Sequence, residues 1–159
     1  IFARFEGFRL GYRGRSNIIQ ELCFGSFNRH FRPNRTRSDW ITSDNELLDI
    51  ALKDPYCNFV STTELFYEML GGLKYIGDPK NLIAIPKSLP VFLFSGDRDP
   101  VGNYGKGVKR VAGLFSSAGL SDITLKLYPE GRHEMLNEVN RSQVYADVLS
   151  WLDSRIQTR

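Results

Sequence analysis

Cysteine is nearly absent: Cys23 and Cys57 are the only two, they share no C-x-x-C spacing, and no histidine stands at ligand distance from either. That scarcity excludes a zinc knuckle and a redox pair and suits reduced thiols in a reducing compartment. No run of 18 apolar residues occurs, which excludes a membrane-spanning helix of ordinary length. The N-terminus lacks the charged, apolar and small-residue succession of a signal peptide, so a soluble, cytoplasmic protein is expected. Internal repeats and low-complexity tracts are also missing. What is present is the composition of a globular domain, 42% hydrophobic, 13% aromatic and 25% charged over 159 residues. A chain near 150 residues buries about 70% of its unfolded surface, so neither disulfides nor a structural metal is needed.

The net charge of +3 is small, but it is unevenly placed. Residues 1–41 hold eight arginines, no lysine, and only Glu6, Glu21 and Asp39 as acids. Arginine at this density can grip phosphates bidentately. Interleaving with Phe24, Phe27, Phe31 and Trp40 breaks up any continuous basic block, however, and a solvated face with local ion pairs is the plainer reading. No nucleic-acid partner is expected.

The two halves follow different patterns. Ser43-Asp44-Asn45-Glu46 and Ser61-Thr62-Thr63-Glu64 both have the form of a capping box, with the serine as cap, so each should open a helix. After the second, Leu65, Phe66, Met69, Leu70, Leu73 and Ile76 recur at helical spacing up to Gly77-Asp78-Pro79, and that stripe is expected to bury one helix face. Later, Val91-Phe92-Leu93-Phe94 reads as a strand buried on both faces of a parallel sheet. A helix with Val108, Val111, Leu114 and Phe115 on its apolar side follows. Ile123, Leu125 and Leu127 then alternate with Thr124, Lys126 and Tyr128 as a strand near a sheet edge. A last helix from about Ser142 carries Val144, Val148, Trp151, Leu152 and Ile156. Strand, helix, strand, helix implies a parallel pair with a right-handed crossover. Two strands alone make a poor sheet, so residues 86–159 are expected to be the C-terminal portion of an α/β core, preceded by a helical segment over residues 1–85.

In open α/β sheets reactive groups gather at the carboxyl ends of strands. Two loops qualify: S-G-D-R-D-P-V-G from Ser95 and L-Y-P-E-G-R-H-E-M-L-N-E from Leu127. An acid after one strand and His133 after the next, side by side in space, form the arrangement in which a carboxylate holds a histidine in its working tautomer. His133 also begins H-E-M-L-N, but a zincin needs a second histidine where Asn137 stands, so metal hydrolysis is disfavoured and neither metal nor cofactor is expected. His30 is assigned no role.

The two loop motifs together resemble the α/β-hydrolase fold, and within it the lysophospholipase and monoacylglycerol-lipase-like serine hydrolases, the serine aminopeptidase-type family. F-G-S-F-N from Phe24, S-D-W-I-T-S-D from Ser38 and D-P-Y-C-N-F from Asp54 resemble the cap of such enzymes. The resemblance implies that Asp99 is the triad acid, that His133 is the base, that Asp97 shapes the loop, and that residues 1–85 are a helical cap or lid. It further implies an acyl ester or lipid substrate, enclosed by cap aromatics such as Phe24, Phe27, Phe59, Phe66 and Tyr67. No serine has glycine at both minus two and plus two, so the G-x-S-x-G elbow is absent; the family order places it upstream of Ile1. The chain alone is then expected to be inactive and to need the N-terminal half of the same protein as its partner; self-association stays open. The competing reading is a noncatalytic α/β module that binds an anionic partner or surface through the arginine-rich segment, which a steep salt dependence of binding would reveal.

Overall fold

A branched and aromatic run behind Pro90 forms β1 (Val91–Gly96), and the alternating segment forms β2 (Ile123–Tyr128). The computed structural model describes residues 2–57 and 59–156. The strands pair in parallel, in register from Val91 opposite Ile123 to Gly96 opposite Tyr128. The crossover between them is the helix Lys106–Ser117. Gly105, at φ +78°, turns the chain into that helix, and a Cβ there would lie 2.7 Å from Leu127 Cδ1, so only glycine meets both demands.

The last helix, Arg141–Ile156, covers one face of this pair. Tyr128, Met135 and Val144 form a buried cluster beneath it, with Phe94 and Val148 packed alongside. Each such burial contributes about 1.5–3 kcal/mol. Thr124, Lys126 and Tyr128 lie under this helix, while Leu125, on the other face of the strand, is exposed. Hydrogen bonding explains it. Trp151 Nε1 donates to Thr124 Oγ1 at 2.9 Å, and Asp147 Oδ2 accepts from Lys126 Nζ at 2.5 Å and Tyr128 OH at 2.8 Å. The shared carboxylate and burial push the Tyr128 phenol pKa far up, burial being the larger cause. Trp151 also stacks on Phe92, with ring centroids 5.5 Å apart. β1 is only half-buried from Val91 to Phe94, since among the described residues it has a single ladder neighbour.

Before β1 the described residues contain helices and turns but no strand, apart from an isolated bridge between Arg15 and Thr62. In chain order these are α1 (Phe2–Leu10), α2 (Asn17–Phe24), a 3₁₀ turn (Phe27–Phe31), α3 (Asn45–Lys53), α4 (Thr63–Ile76) and α5 (Pro79–Leu82). The helices Lys106–Ser117 and Arg141–Ile156 are α6 and α7. Both expected capping serines are displaced by one residue. Asp44 caps α3 by accepting from Glu46 N and Leu47 N at 3.1 Å, and Thr62 caps α4 by accepting from Leu65 N at 3.2 Å. For α3 the reason is visible, because the Ser43 hydroxyl is already committed to Glu138.

The apolar stripe of α4 also departs from expectation. Phe66 is fully buried with Ala3 and Ile19. Met69 is 37% exposed and Ile76 60%, with Leu65, Leu70 and Leu73 between them. Among the described residues, α1 and α5 are the elements that pack most on α4, and they leave the rest of the stripe uncovered. No helix among the described residues is long and apolar enough to cross a membrane.

Candidate functional site

The loops after β1 and β2 meet backbone to backbone. A Cβ on Gly96 would lie 2.0 Å from Gly131 O and 2.5 Å from Arg132 O, so the contact exists only because neither glycine has a side chain. Arg98 N donates to Gly131 O at 2.9 Å, and Asp97 Oδ1 accepts from Glu130 N at 2.8 Å. Asp97 thus fastens one loop to the other without touching His133. Asp99 is buried, 5% exposed, and its Oδ1 accepts from Val101 N at 2.8 Å and faces His133 Nδ1 at 3.2 Å. That places the imidazole proton on Nδ1 and leaves the Nε2 lone pair available as a base. The hydrogen bond to Asp99 raises the His133 pKa above its ordinary 6.5 and outweighs the burial that opposes the charge.

The histidine is held from a second side by residues 39–44. His133 N donates to Trp40 O at 3.3 Å and Glu134 N to Ile41 O at 2.8 Å, while the Trp40 and His133 rings lie 5.2 Å apart. Arg132 donates to Asp39 O and Thr42 O and stacks over Phe31 at 4.5 Å. Glu138, 1% exposed, ties the segments together. Its Oε1 accepts from Ser43 N at 2.9 Å and Arg132 N at 3.2 Å, and its Oε2 accepts from Val139 N at 2.9 Å and from the Ser43 hydroxyl. Thr42 Oγ1 donates to Asn137 O at 2.8 Å, and Arg141 pairs with Asp44 at 2.7 Å.

Beside Trp40 opens a cleft of about 500 Å³ with Gln20, Glu21, Phe24, Arg37, Trp40 and Phe59 in its walls. The aromatic residues named from the sequence therefore divide. Phe24 and Phe59 line the cleft. Phe27 stands behind it against Phe24 and Trp40, at 5.9 and 5.1 Å between centroids. Phe66 is core, 6.0 Å from Phe24, and Tyr67 is an exposed side chain of α4 outside the cleft walls. His30 rests against Tyr104, centroids 5.0 Å apart, on the loop that follows Asp99. Arg9 pairs with the buried Glu6 at 2.8 Å, and Arg35 with Asp49 at 2.7 Å on the exposed surface.

A family model described as serine aminopeptidase, S33, matches residues 10–140, which takes in both loops and the aromatic cleft. The chain belongs to the serine aminopeptidase S33 family. Its structure is similar to a highly thermostable carboxyl esterase from Bacillus coagulans in complex with glycerol, with a TM-score of 0.86 and 25% identity over 96% of this chain and 50% of that one. It is also similar to a lipase in an open form, with a TM-score of 0.77 and 27% identity over 91% of this chain and 47% of that one. The S33-family chain thus spans about half the length of these structures and carries part of an α/β-hydrolase fold.

Two structural features of the S33 site lie beyond a reading of residue patterns. Glu138 reaches Ser43, 95 residues earlier in the chain, and no local spacing signals that bond. Trp40 belongs to the aromatics that interrupt the arginines and to S-D-W-I-T-S-D, and neither pattern marks its contact with His133. The glycine contact is directly testable. Gly96→Ala is expected to force the two loops apart and to separate Asp99 from His133, so the His133 pKa should move back towards its ordinary 6.5 in an NMR titration. An unchanged His133 titration would show that the loops can part without disturbing the histidine.

Proposed function

We propose that this chain supplies the base, its orienting acid and the substrate cleft of a carboxylic ester hydrolase acting on acyl lipids, of the lysophospholipase or monoacylglycerol-lipase type. The observation that carries this reading is the Asp99–His133 contact at the carboxyl ends of adjacent parallel strands, opening beside an aromatic cleft. In this scheme a serine on polypeptide outside residues 1–159 attacks the ester carbonyl. His133 Nε2 takes the serine proton and returns it to the leaving alcohol, and Asp99 stabilises the imidazolium formed between the two steps. Residues 1–85 act as the cap. Two cysteines without a disulfide suit work in the cytoplasm.

The test uses the complete polypeptide. A fluorophosphonate ester should label one serine outside this chain and abolish hydrolysis of long-chain acylglycerols and lysophospholipids; hydrolysis that persists after full labelling would overturn the proposal. The pH profile provides a second check. His133 acts as a base only when neutral, so kcat/KM should fall as pH drops through its raised pKa, with the acid limb above 6.5. Asp99→Asn removes the main cause of that rise and should move the limb to lower pH. The same linkage favours the fold when His133 is protonated, a contribution complete below the unfolded value and lost as pH rises through the folded one.

A further inference from the structure

The Asp99 contact tethers one nitrogen of the His133 ring and leaves the rest of the ring to its neighbours. The imidazole is more than one-third exposed, and among the described residues Asp99 is its one hydrogen-bond partner. Main-chain bonds to Trp40 O and Ile41 O hold the loop but not the rotation of the side chain. A ring on a single tether can turn away from its acid. The indole of Trp40 stands against that movement, its centroid 5.2 Å from the imidazole and the planes tilted by 44°.

That indole is itself locked from the cap. It stacks on Phe24 at 6.3 Å with the planes 8° apart and meets Phe27 edge to face at 5.1 Å, while Trp40 N donates to Asn28 Oδ1 at 3.0 Å. Asn28 is fixed in turn, because its Nδ2 donates to Thr36 O at 2.7 Å. Reacting groups stay within about 0.5 Å of a productive geometry only when the side chains that support them are locked in this way. The indole also favours the charged ring, since a π system attracts a cation within about 6 Å of its centroid.

We propose that Trp40 is a positioning residue for the base: it keeps the His133 imidazole on Asp99 and steadies the imidazolium formed when the serine gives up its proton. The inference rests on the hydrolase reading for that proton, whereas the contact stands without it. The Asp99 hydrogen bond is the largest influence on the protonation of the ring; burial opposes it, and the charges of Asp99 and Glu134 reinforce it. On the Trp40 segment the carboxylates are engaged elsewhere, Asp39 by Thr36 and the main chain of Arg35, Asp44 by Arg141. Removing the indole leaves all these charges in place but loosens the Asp99 contact. Water reaching the ring would favour the imidazolium, yet the hydrogen bond is the larger influence, so the net change in the His133 pKa is downward.

The test titrates His133 by NMR and records the pH profile of kcat/KM in the complete polypeptide carrying Trp40→Leu or Trp40→Phe. Trp40→Leu should lower the His133 midpoint by about half a pH unit or more, the size of one exposed cation–aromatic contact, and carry the acid limb down with it. It should lower kcat on the order of tenfold, because a misplaced base is felt after the substrate is bound. Trp40→Phe, which keeps a ring, should recover most of both. An unchanged midpoint and limb in Trp40→Leu, with the loss confined to KM, would make Trp40 a cleft wall only and overturn the proposal. Should the variants fail to fold, 5-fluorotryptophan in the unaltered sequence decides: one tryptophan fluorine resonance should titrate with the His133 midpoint and cease to do so in His133→Ala, and the lack of such a resonance overturns the proposal. Failure of the hydrolase reading is separable, because then the unaltered polypeptide cleaves no ester, short-chain nitrophenyl esters included, and the NMR midpoint alone decides the role of Trp40.

Discussion

His133→Ala in the complete polypeptide is expected to lower kcat/KM on acyl esters by on the order of 10⁴- to 10⁶-fold, with the melting temperature little changed. The size of the loss follows from how triad members work, since a serine without its base is a weak nucleophile and the remaining groups only bind and polarise the ester. Stability should hold because the imidazole is more than one-third exposed and, among the described residues, its one hydrogen bond is to Asp99. Removing it also leaves the loop in place, because the main-chain bonds from residues 133 and 134 to Trp40 and Ile41 do not depend on the side chain. Fluorophosphonate labelling should slow in parallel with hydrolysis. A variant that retains more than about a tenth of the activity would move the base to another residue.

Glu138→Ala should produce the largest loss of stability, about 3–5 kcal/mol, measured as a fall in the denaturant midpoint at unchanged slope. Deleting the carboxylate strands the N–H groups of Ser43, Arg132 and Val139 and the hydroxyl of Ser43 in a region where Glu138 is 1% exposed. Each buried donor left unpaired costs about 1–3 kcal/mol, and partial access of water to the opened site keeps the sum below their full total. Activity should fall as well, because residues 39–44 would lose the tie that holds Trp40 beside His133. An unfolding free energy within about 0.5 kcal/mol of the parent would mean that Thr42, Arg132 and Arg141 suffice to hold the two segments together.

The parallel strands, the crossover helix and the long final helix were all legible in the sequence, and for a physical reason. Each is announced by periodicity and by stops that act within a few residues: Pro90 before β1, Ala118-Gly119 after α6, Gly77-Asp78-Pro79 after α4. The family loops could be read for the same reason, since the acid of one and the histidine of the next are placed by strand order alone. The α3 cap falls one residue later than expected because the Ser43 hydroxyl is taken by Glu138, which leaves Asp44 to accept from Glu46 N and Leu47 N. The α4 stripe showed its period but not its burial, because burial depends on which neighbours are present and not on the spacing that makes a face.

By itself the sequence determined where this protein turns, which segments are helical or extended, and that an acid and a histidine follow successive strands. These depend on local sterics, capping and apolar periodicity, whose range is a few residues. Only the tertiary structure decided that Gly96 and Gly131 touch, that Thr124, Lys126 and Tyr128 face α7, that Glu138 joins residues 42–44 to the histidine loop, and that Glu21, Phe24, Arg37, Trp40 and Phe59 share one cleft. Those outcomes depend on which buried donors find acceptors and which surfaces fit across 19 to 95 residues of chain, a competition among distant groups that no local pattern records.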